Sequence, residues 1–307
     1  MDKMNASLNI DFNLLGLLPG MKHVNLLVSA ILLIYTVALT ANSTLILLIW
    51  VDNHLHTPMY FLLSQLALMD LMLISTIVPK MTTDFFSERK IISRVACVTQ
   101  IFFFITIGIA EFILITLMFY DRYVAICNPL RYSLNMSHRV CLQMAFISWA
   151  GGTLTSMVHT AYALYFPICD SREIAHFLCE VMAILKLVCE DISAYEKAVV
   201  MTSIIVLLIP LSFILSSYAL IFRAVLHMNS PEVRNKALAT CTSHLTVVSL
   251  YFGSAMMVYM KPSSYHNPNF DQVLFMLGSI VTPLMNPLIY SLRNKEVVSA
   301  LKKVLGS

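Results

Sequence analysis

Seven mostly apolar runs, near residues 25–50, 58–80, 95–120, 140–166, 197–222, 237–260 and 270–292, constrain this chain more than any other feature. A helix crosses the hydrocarbon core of a bilayer with about 20 largely apolar residues, and every run reaches that length. Of the 307 residues 58% are hydrophobic and 12% charged, whereas soluble domains carry roughly 25% charged residues. Such a surface needs a lipid bilayer as solvent. The pattern predicts an all-α membrane protein, a single domain over 1–307 folded as a seven-transmembrane helix bundle. No segment is left over for a soluble catalytic domain. A transporter would show repeated halves and polar residues along a path, and a membrane enzyme a cluster such as His-Glu-x-x-His. Neither pattern is present, and no enzymatic activity or nucleic-acid partner is expected.

Orientation has to come from marks other than charge. The first 20 residues contain Lys3, Asp11 and Pro19 and no long apolar core, so the first span is expected to direct insertion without a cleaved signal peptide. With the N-terminus outside, the Lys and Arg divide equally between the two sides, and the positive-inside rule gives no answer. Cys97, Cys169, Cys179 and Cys189 fall in or beside the loops after spans two and four, on one side, whereas Cys127, Cys141 and Cys241 fall on the other. Four thiols on one face suit an oxidising, extracellular compartment. Asn5-Ala6-Ser7 is a glycosylation acceptor on that same side, which puts the N-terminus outside. Acceptor matches at Asn42 and Asn135 fall in a span and in a cytoplasmic loop, and are read as chance.

The longest non-spanning segment, 167–196, is the only loop large enough to fold over something. Pro58 opens span two, while Pro210, Pro283 and Pro287 interrupt spans five and seven, where neighbouring helices can re-satisfy the freed backbone groups. Over 294–304, Val297, Val298, Leu301 and Val304 recur at helical spacing beside Lys295, Lys302 and Lys303. That pattern predicts a short amphipathic helix on the inner membrane surface, with a frayed polar tail as the alternative.

Two carboxylates, Asp70 and Glu111, sit deep in apolar runs, where ionisable groups are costly and mark function. Two readings stay open. Both acids are protonated and satisfied by hydrogen bonds with Asn42, Ser75 or Asn286, or together they bind a sodium ion or a proton, the reading we prefer. Nothing near them supplies a nucleophile or a metal-ligand set for acid–base chemistry.

Span three ends in Met118-Phe119-Tyr120-Asp121-Arg122-Tyr123-Val124-Ala125-Ile126-Cys127. Four further strings follow the spans in order. They are Leu55-His56-Thr57-Pro58-Met59-Tyr60-Phe61, Ser217-Tyr218, Lys236-Ala237-Leu238-Ala239-Thr240-Cys241-Thr242-Ser243-His244-Leu245, and Pro283-Leu284-Met285-Asn286-Pro287-Leu288-Ile289-Tyr290-Ser291-Leu292-Arg293-Asn294. An isolated Asp-Arg-Tyr is weak evidence, since a surface ion pair contributes under about 1 kcal/mol. The five strings together, over about 42–294, resemble the olfactory receptors of the rhodopsin-like G-protein-coupled class. Three departures from the family pattern are Ala41 for a glycine, Phe119 for an alanine, and Tyr251-Phe252 for a Phe-Tyr order.

The resemblance implies a receptor for a small volatile odorant, coupled to a heterotrimeric G protein of the stimulatory, olfactory type that raises cAMP at the plasma membrane. It implies that Arg122 is held by Asp121 at rest and turns inward on activation, with Tyr123, Tyr218, His244 and Tyr290 in the same switch. It also implies disulfides Cys97–Cys179 and Cys169–Cys189, although four cysteines allow three connectivities. His176 to Glu180 could be read as a metal site, but a cysteine in a disulfide cannot serve as a thiolate ligand, so no metal is expected there.

For the ligand, the resemblance points to the outer halves of four spans. Phe104, Ile105, Gly108 and Ile109 would face inward from span three, and Thr202, Ser203, Val206 and Leu207 from span five. Span six would offer Phe252, Ala255, Met256 and Tyr259, with Phe252 as the ring beneath the ligand, and span seven Phe275, Met276 and Ser279. An amine receptor of this architecture would carry an aspartate where this chain has Phe104. A neutral, mostly hydrophobic ligand is therefore expected, held by shape, by Met and aromatic contacts and by one or two hydrogen bonds.

Overall fold

A computed structural model describes residues 11–87, 90–165, 167–168, 172–227, 230–260, 267–292 and 295–306. Seven long helices appear among them: α1 Val24–Val51, α2 Pro58–Phe86, α3 Arg94–Cys127, α4 His138–Tyr165, α5 Ser193–Leu226, α6 Pro231–Tyr259 and α7, running from Pro268 to Leu292. Five of them, α1, α2, α3, α5 and α7, are apolar enough over their length to cross a membrane. Helices α4 and α6 carry more polar residues, the apolar part of α6 being Leu245–Tyr259. An eighth helix, α8 (Lys295–Leu305), follows α7.

Several helices outrun the apolar runs that announce them. Hydropathy ends where lipid ends, whereas the backbone hydrogen-bond ladder continues into water as long as side chains support it. Lys80 pairs with Asp84 one turn further along α2, inside the extension to Phe86. The Ser93 side chain accepts from Ala96 N–H at 3.3 Å and opens α3, and Asn267 accepts from Asn269 and Phe270 N–H to open α7.

The burial pattern is inside out relative to a soluble protein. Leu26, Leu33, Trp50, Phe146 and Phe213 face outward, while Asn42, Asp70, Glu111, Ser148 and Asn286 are buried in the bundle. Polar groups are thereby kept from lipid, where an unmet hydrogen bond costs several kcal/mol. Helix α3 runs through the centre. A Cβ on Gly152 of α4 would lie 2.2 Å from the Thr106 carbonyl oxygen of α3, so glycine alone permits this approach. Ser156 Oγ, one turn further along α4, donates to Phe102 O at 2.7 Å and fixes the same contact.

The predicted proline interruptions take a defined form. In α5 a π-helical segment, Ile204–Leu208, directly precedes Ile209-Pro210, and in α7 another, Leu277–Val281, precedes Pro283. Proline lacks the N–H that closes the preceding turn, and a π-bulge is one way a helix absorbs that loss. Pro287 leaves the Pro283 carbonyl without its helical donor, and Asn42 Nδ2 of α1 supplies one at 2.9 Å.

The N-terminal segment is more than a tail. Its strand β1 (Asp11–Leu14) lies between β2 (Ile91–Ser93), antiparallel, and β3 (Glu173–Ile174), parallel. Phe12, Leu14, Ile92 and Ile174 form a small core with Cys97 and Cys179. Those two cysteines are disulfide-bonded, which marks this end of the bundle as the outer one. Cys189 is disulfide-bonded as well, and Ile168 pairs with Val188 beside it. Its expected partner Cys169, and the acceptor Asn5, lie outside the described residues.

At the inner end, α8 has the amphipathic character expected over 294–304. Val297 and Ala300 are buried against the bundle while Lys302 and Lys303 are exposed. Glu296 accepts a hydrogen bond from Tyr60 Oη of α2 at 2.6 Å, tying the helix to the start of span two.

Candidate ligand cavity and switch

A cavity of about 160 Å³ opens in the outer half of the bundle, covered by residues 179–182 of the loop between α4 and α5, which is its lid. Of the expected ligand positions, Phe104, Ile105, Gly108, Ile109, Thr202, Ser203, Val206, Leu207, Ala255, Tyr259, Phe275 and Ser279 all line it. Both π-bulged segments border it, through Val206 and Leu207 in α5 and Gly278 and Ser279 in α7. The bulges rotate one turn of each helix, so the proline-induced irregularity helps shape the cavity wall.

Three expected residues do not line it: Phe252, Met256 and Met276. On α6 the lining residues are Tyr251, Ser254, Ala255, Val258 and Tyr259, a stripe with helical period whose centre is one position earlier than the sequence suggests. Phe252 sits beside this stripe and packs edge-on against Phe112 at 4.9 Å in the core. Tyr251 is therefore the ring at the cavity floor. Met256 and Met276 pack into the hydrophobic core instead, and the Phe275 ring fills the neighbouring position by stacking on Phe104 at 4.8 Å.

Sequence reasoning missed several lining residues. Glu111 and Phe112 continue the α3 stripe by one turn, and that period was readable. His159 of α4 and Glu180 of the loop between α4 and α5 were not, because the first depends on how α4 packs against α5 and the second on how that loop folds. Glu180 directly follows Cys179, whose N–H donates to Gln100 Oε1 at 2.9 Å, while Gln100 Nε2 donates to Thr76 O at 3.0 Å. One glutamine of α3 thus joins the lid to α2. Glu180 Oε2 accepts from Ala183 N–H at 2.9 Å and starts the short lid helix Val181–Leu185. His159 Nδ1 lies 2.8 Å from Tyr195 Oη. Burial pushes the His176 imidazole down to about 4, so it is neutral at physiological pH, and its Nδ1 accepts from Leu178 N–H.

Below the floor lies the acid pair. Tyr251 Oη donates to Glu111, and Asn286 Nδ2 donates to both Asp70 oxygens at 3.0 Å. The two carboxylates are near enough for their charges to interact. Asn42 spends its amide hydrogens on Ala38 O and Pro283 O. Asn42 Oδ1, Glu111 Oε1 and Asn286 Oδ1 are buried without a hydrogen-bond partner, so the cluster has acceptors in excess. Ser75, considered from sequence as a partner, is exposed on the outside of α2.

At the inner end of α3, Asp121 is buried and accepts from Tyr132 Oη at 2.7 Å. Burial and the Asp121 charge raise the Tyr132 phenol, which keeps it a donor. The Arg122 guanidinium lies against Met59 Sδ of α2. Tyr218 Oη donates to Cys241 O of α6 at 3.1 Å, and its ring meets Phe119 edge-on at 5.0 Å. Phe119, where the family pattern has alanine, thus fills the space beside Tyr218. Tyr123 packs against the same cluster as Tyr218 and Cys241. His244 and Tyr290 are placed on α6 and α7 by their backbone, and their side chains lie outside the described residues.

A lidded cavity between the outer helix halves, above a buried acid pair and a cytoplasmic Asp-Arg-Tyr, defines a seven-helix membrane receptor. Residues 31–307 match the family model described as olfactory receptor. The chain is 51% identical over 306 residues to olfactory receptor 2T1 of Homo sapiens, covering 100% of this chain and 83% of that one. It is 49% identical over 306 residues to olfactory receptor 2T27 of Homo sapiens, covering 100% and 96%. Mouse olfactory receptor 2V1 is 50% identical over 302 residues, covering 98% and 96%. The chain belongs to the olfactory receptor family. It is an odorant-sensing, G-protein-coupled receptor of the plasma membrane that crosses the bilayer several times, and it is not an enzyme.

Proposed function

We propose that the cavity binds a small, neutral, mostly hydrophobic volatile ligand and that its occupation activates a stimulatory, olfactory-type G protein, raising cAMP. The observation that carries this reading is the cavity itself. It is lidded, has mostly apolar walls, and ends on Tyr251, whose hydroxyl is bonded to Glu111. A ligand pressing on that ring acts on the α3–α6 contact. At their inner ends α3 holds Asp121 and Arg122, and Tyr218 of α5 links the two helices, its ring against Phe119 of α3 and its hydroxyl on Cys241 O of α6. Rigid helices joined at both ends can transmit the displacement, given that the bundle has two packings.

The excess of acceptors around Asp70 and Glu111 supports the further reading that a sodium ion or a proton neutralises the pair in the resting state. Asp70, Glu111, Asn42 and Asn286 would hold the ion, which would supply positive charge to buried oxygens that lack donors.

The test is cAMP measured in cells given the receptor and the olfactory stimulatory G protein, against a broad odorant panel. Agonist-dependent cAMP is expected, and replacement of Ser203 and Tyr259 together by Ala and Phe should depress it without loss of surface expression. A surface-expressed receptor whose agonists leave cAMP unchanged would overturn the coupling. Unchanged responses of the double variant to every agonist would overturn the pocket.

A further inference from the structure

A second cavity, of about 290 Å³, lies at the outer end of the bundle, and among the described residues it shares no lining residue with the first. The segment 15–21 between β1 and α1, the outer ends of α1 and α2, and the loop between α4 and α5 enclose it. Leu17, Val24, Val28, Met81, Phe85 and Phe177 supply its apolar surface. Phe177 meets Phe275 edge-on at 5.9 Å, and Phe275 lines the first cavity, so the two spaces meet across this pair of rings. A buried water needs roughly 10–15 Å³, and the space is far larger than one or two waters require.

The segment over this cavity follows a constrained path. Gly16, Leu18 and Gly20 all have positive φ, at 86°, 40° and 88°. Leu18, the one of the three with a Cβ, is held there by its N–H, which donates to Gln272 Oε1 of α7 at 2.9 Å. Strain of this kind persists only where the surroundings over-determine it. Pro19, Gly20 and Met21 also line the space and are exposed, which opens it to the outer side.

The charged lining residues, among those described, are Asp84 and Lys90. Asp84 is 5% exposed, and its Oδ1 accepts from Lys80, which also donates to Ile91 O at 3.0 Å. Its Oδ2 is buried with no hydrogen-bond partner among the described residues. A buried carboxylate oxygen left unmet is costly and calls for a donor. The Lys90 ammonium lies over Gly16, where a Cβ would sit 3.0 Å from Nζ. A cation entering here would meet the ammoniums of Lys80 and Lys90, and an anion the Asp84 carboxylate. A neutral group that both donates and accepts suits the site.

We propose that this cavity is a second, accessory ligand site, and that it takes a small neutral molecule such as a primary amide, its N–H donating to Asp84 Oδ2 and its carbonyl accepting from Lys90 Nζ, with its apolar part against Val28, Met81 and Phe177.

The experiment is thermal stabilisation of the purified receptor by four probes with one chain in common: hexanamide, N,N-dimethylhexanamide, hexylammonium and hexanoate. Hexanamide should bind at least about tenfold more tightly than the dimethylamide, which leaves Asp84 unmet, and more tightly than either ion. Asp84→Asn keeps an oxygen for Lys80 and turns the other position into a donor, so the advantage over the dimethylamide should shrink to within about threefold. Val24→Trp fills the second cavity and should abolish hexanamide binding. Gly108→Leu, which extends into open space in the first cavity, should leave it unchanged. If Asp84→Asn does not fold, the probe series and Val24→Trp decide. No stabilisation of the wild type by hexanamide, equal binding of the dimethylamide, or an advantage that survives Asp84→Asn overturns the proposal. So does hexanamide binding that persists in Val24→Trp or is lost in Gly108→Leu.

Discussion

Tyr132→Phe isolates one hydrogen bond at the cytoplasmic switch. The Tyr132 hydroxyl donates to Asp121 Oδ1 at 2.7 Å, and Asp121 is only 2% exposed. The substitution deletes one oxygen and keeps the ring and its packing. A hydrogen bond to a charged group contributes about 1.5–3 kcal/mol, and the partly exposed phenol places this one near the lower bound. If the bond holds the resting state and is broken on activation, its loss shifts the resting-to-active ratio by about 1.5 kcal/mol, roughly tenfold. Basal cAMP normalised to surface receptor should rise by about that factor, from a low starting value. Because burial and the Asp121 charge raise the phenol above its ordinary value, the tyrosine stays protonated across physiological pH and the difference should not vary with pH. Equal basal cAMP at equal surface expression would refute the assignment of Tyr132 as a restraint on Asp121.

The other expectations follow from packing, burial and charge. Gly152→Val places side-chain carbons against the Thr106 carbonyl, where even a Cβ would sit at 2.2 Å. Overpacking typically costs 1–3 kcal/mol, occasionally more, so surface expression should fall sharply, and wild-type expression would show that α3 and α4 do not approach this closely. His176 has its folded value lowered to about 4 by burial. Between the free value near 6.5 and about 4 the unfolded chain binds the extra proton. The histidine therefore costs no stability above about pH 6.5 and progressively more as pH falls toward 4, so the melting temperature of His176→Phe should fall less over that window than that of the wild type. Parallel pH profiles would contradict the buried, neutral imidazole. Sodium, compared with potassium at equal ionic strength, should raise the melting temperature of the wild type and leave Asp70→Asn unaffected. No sodium-specific shift in the wild type would favour protonated acids.

The amino-acid order alone determined the membrane class, because seven apolar runs have no other solvent, and the ordered strings carried the family. The family resemblance pointed to most of the α3, α5 and α7 cavity residues. It failed by one position on α6, where the rotation that puts Tyr251 and not Phe252 on the floor is set by packing against Phe112 and Glu111. It could not anticipate Glu180, since a loop's path over a bundle depends on contacts distant in sequence, or His159, whose place on the wall depends on how α4 packs against Tyr195 of α5. A disulfide to α3, a bond from Gln100 and a strand contributed by the N-terminal segment fix that path. Nor could sequence show that the cavity hydroxyls of Thr202, Ser203, Ser254 and Ser279 donate to carbonyls of their own helices. Residue identity gives the donors and acceptors available, and only the tertiary structure decides which of them remain free to meet a ligand.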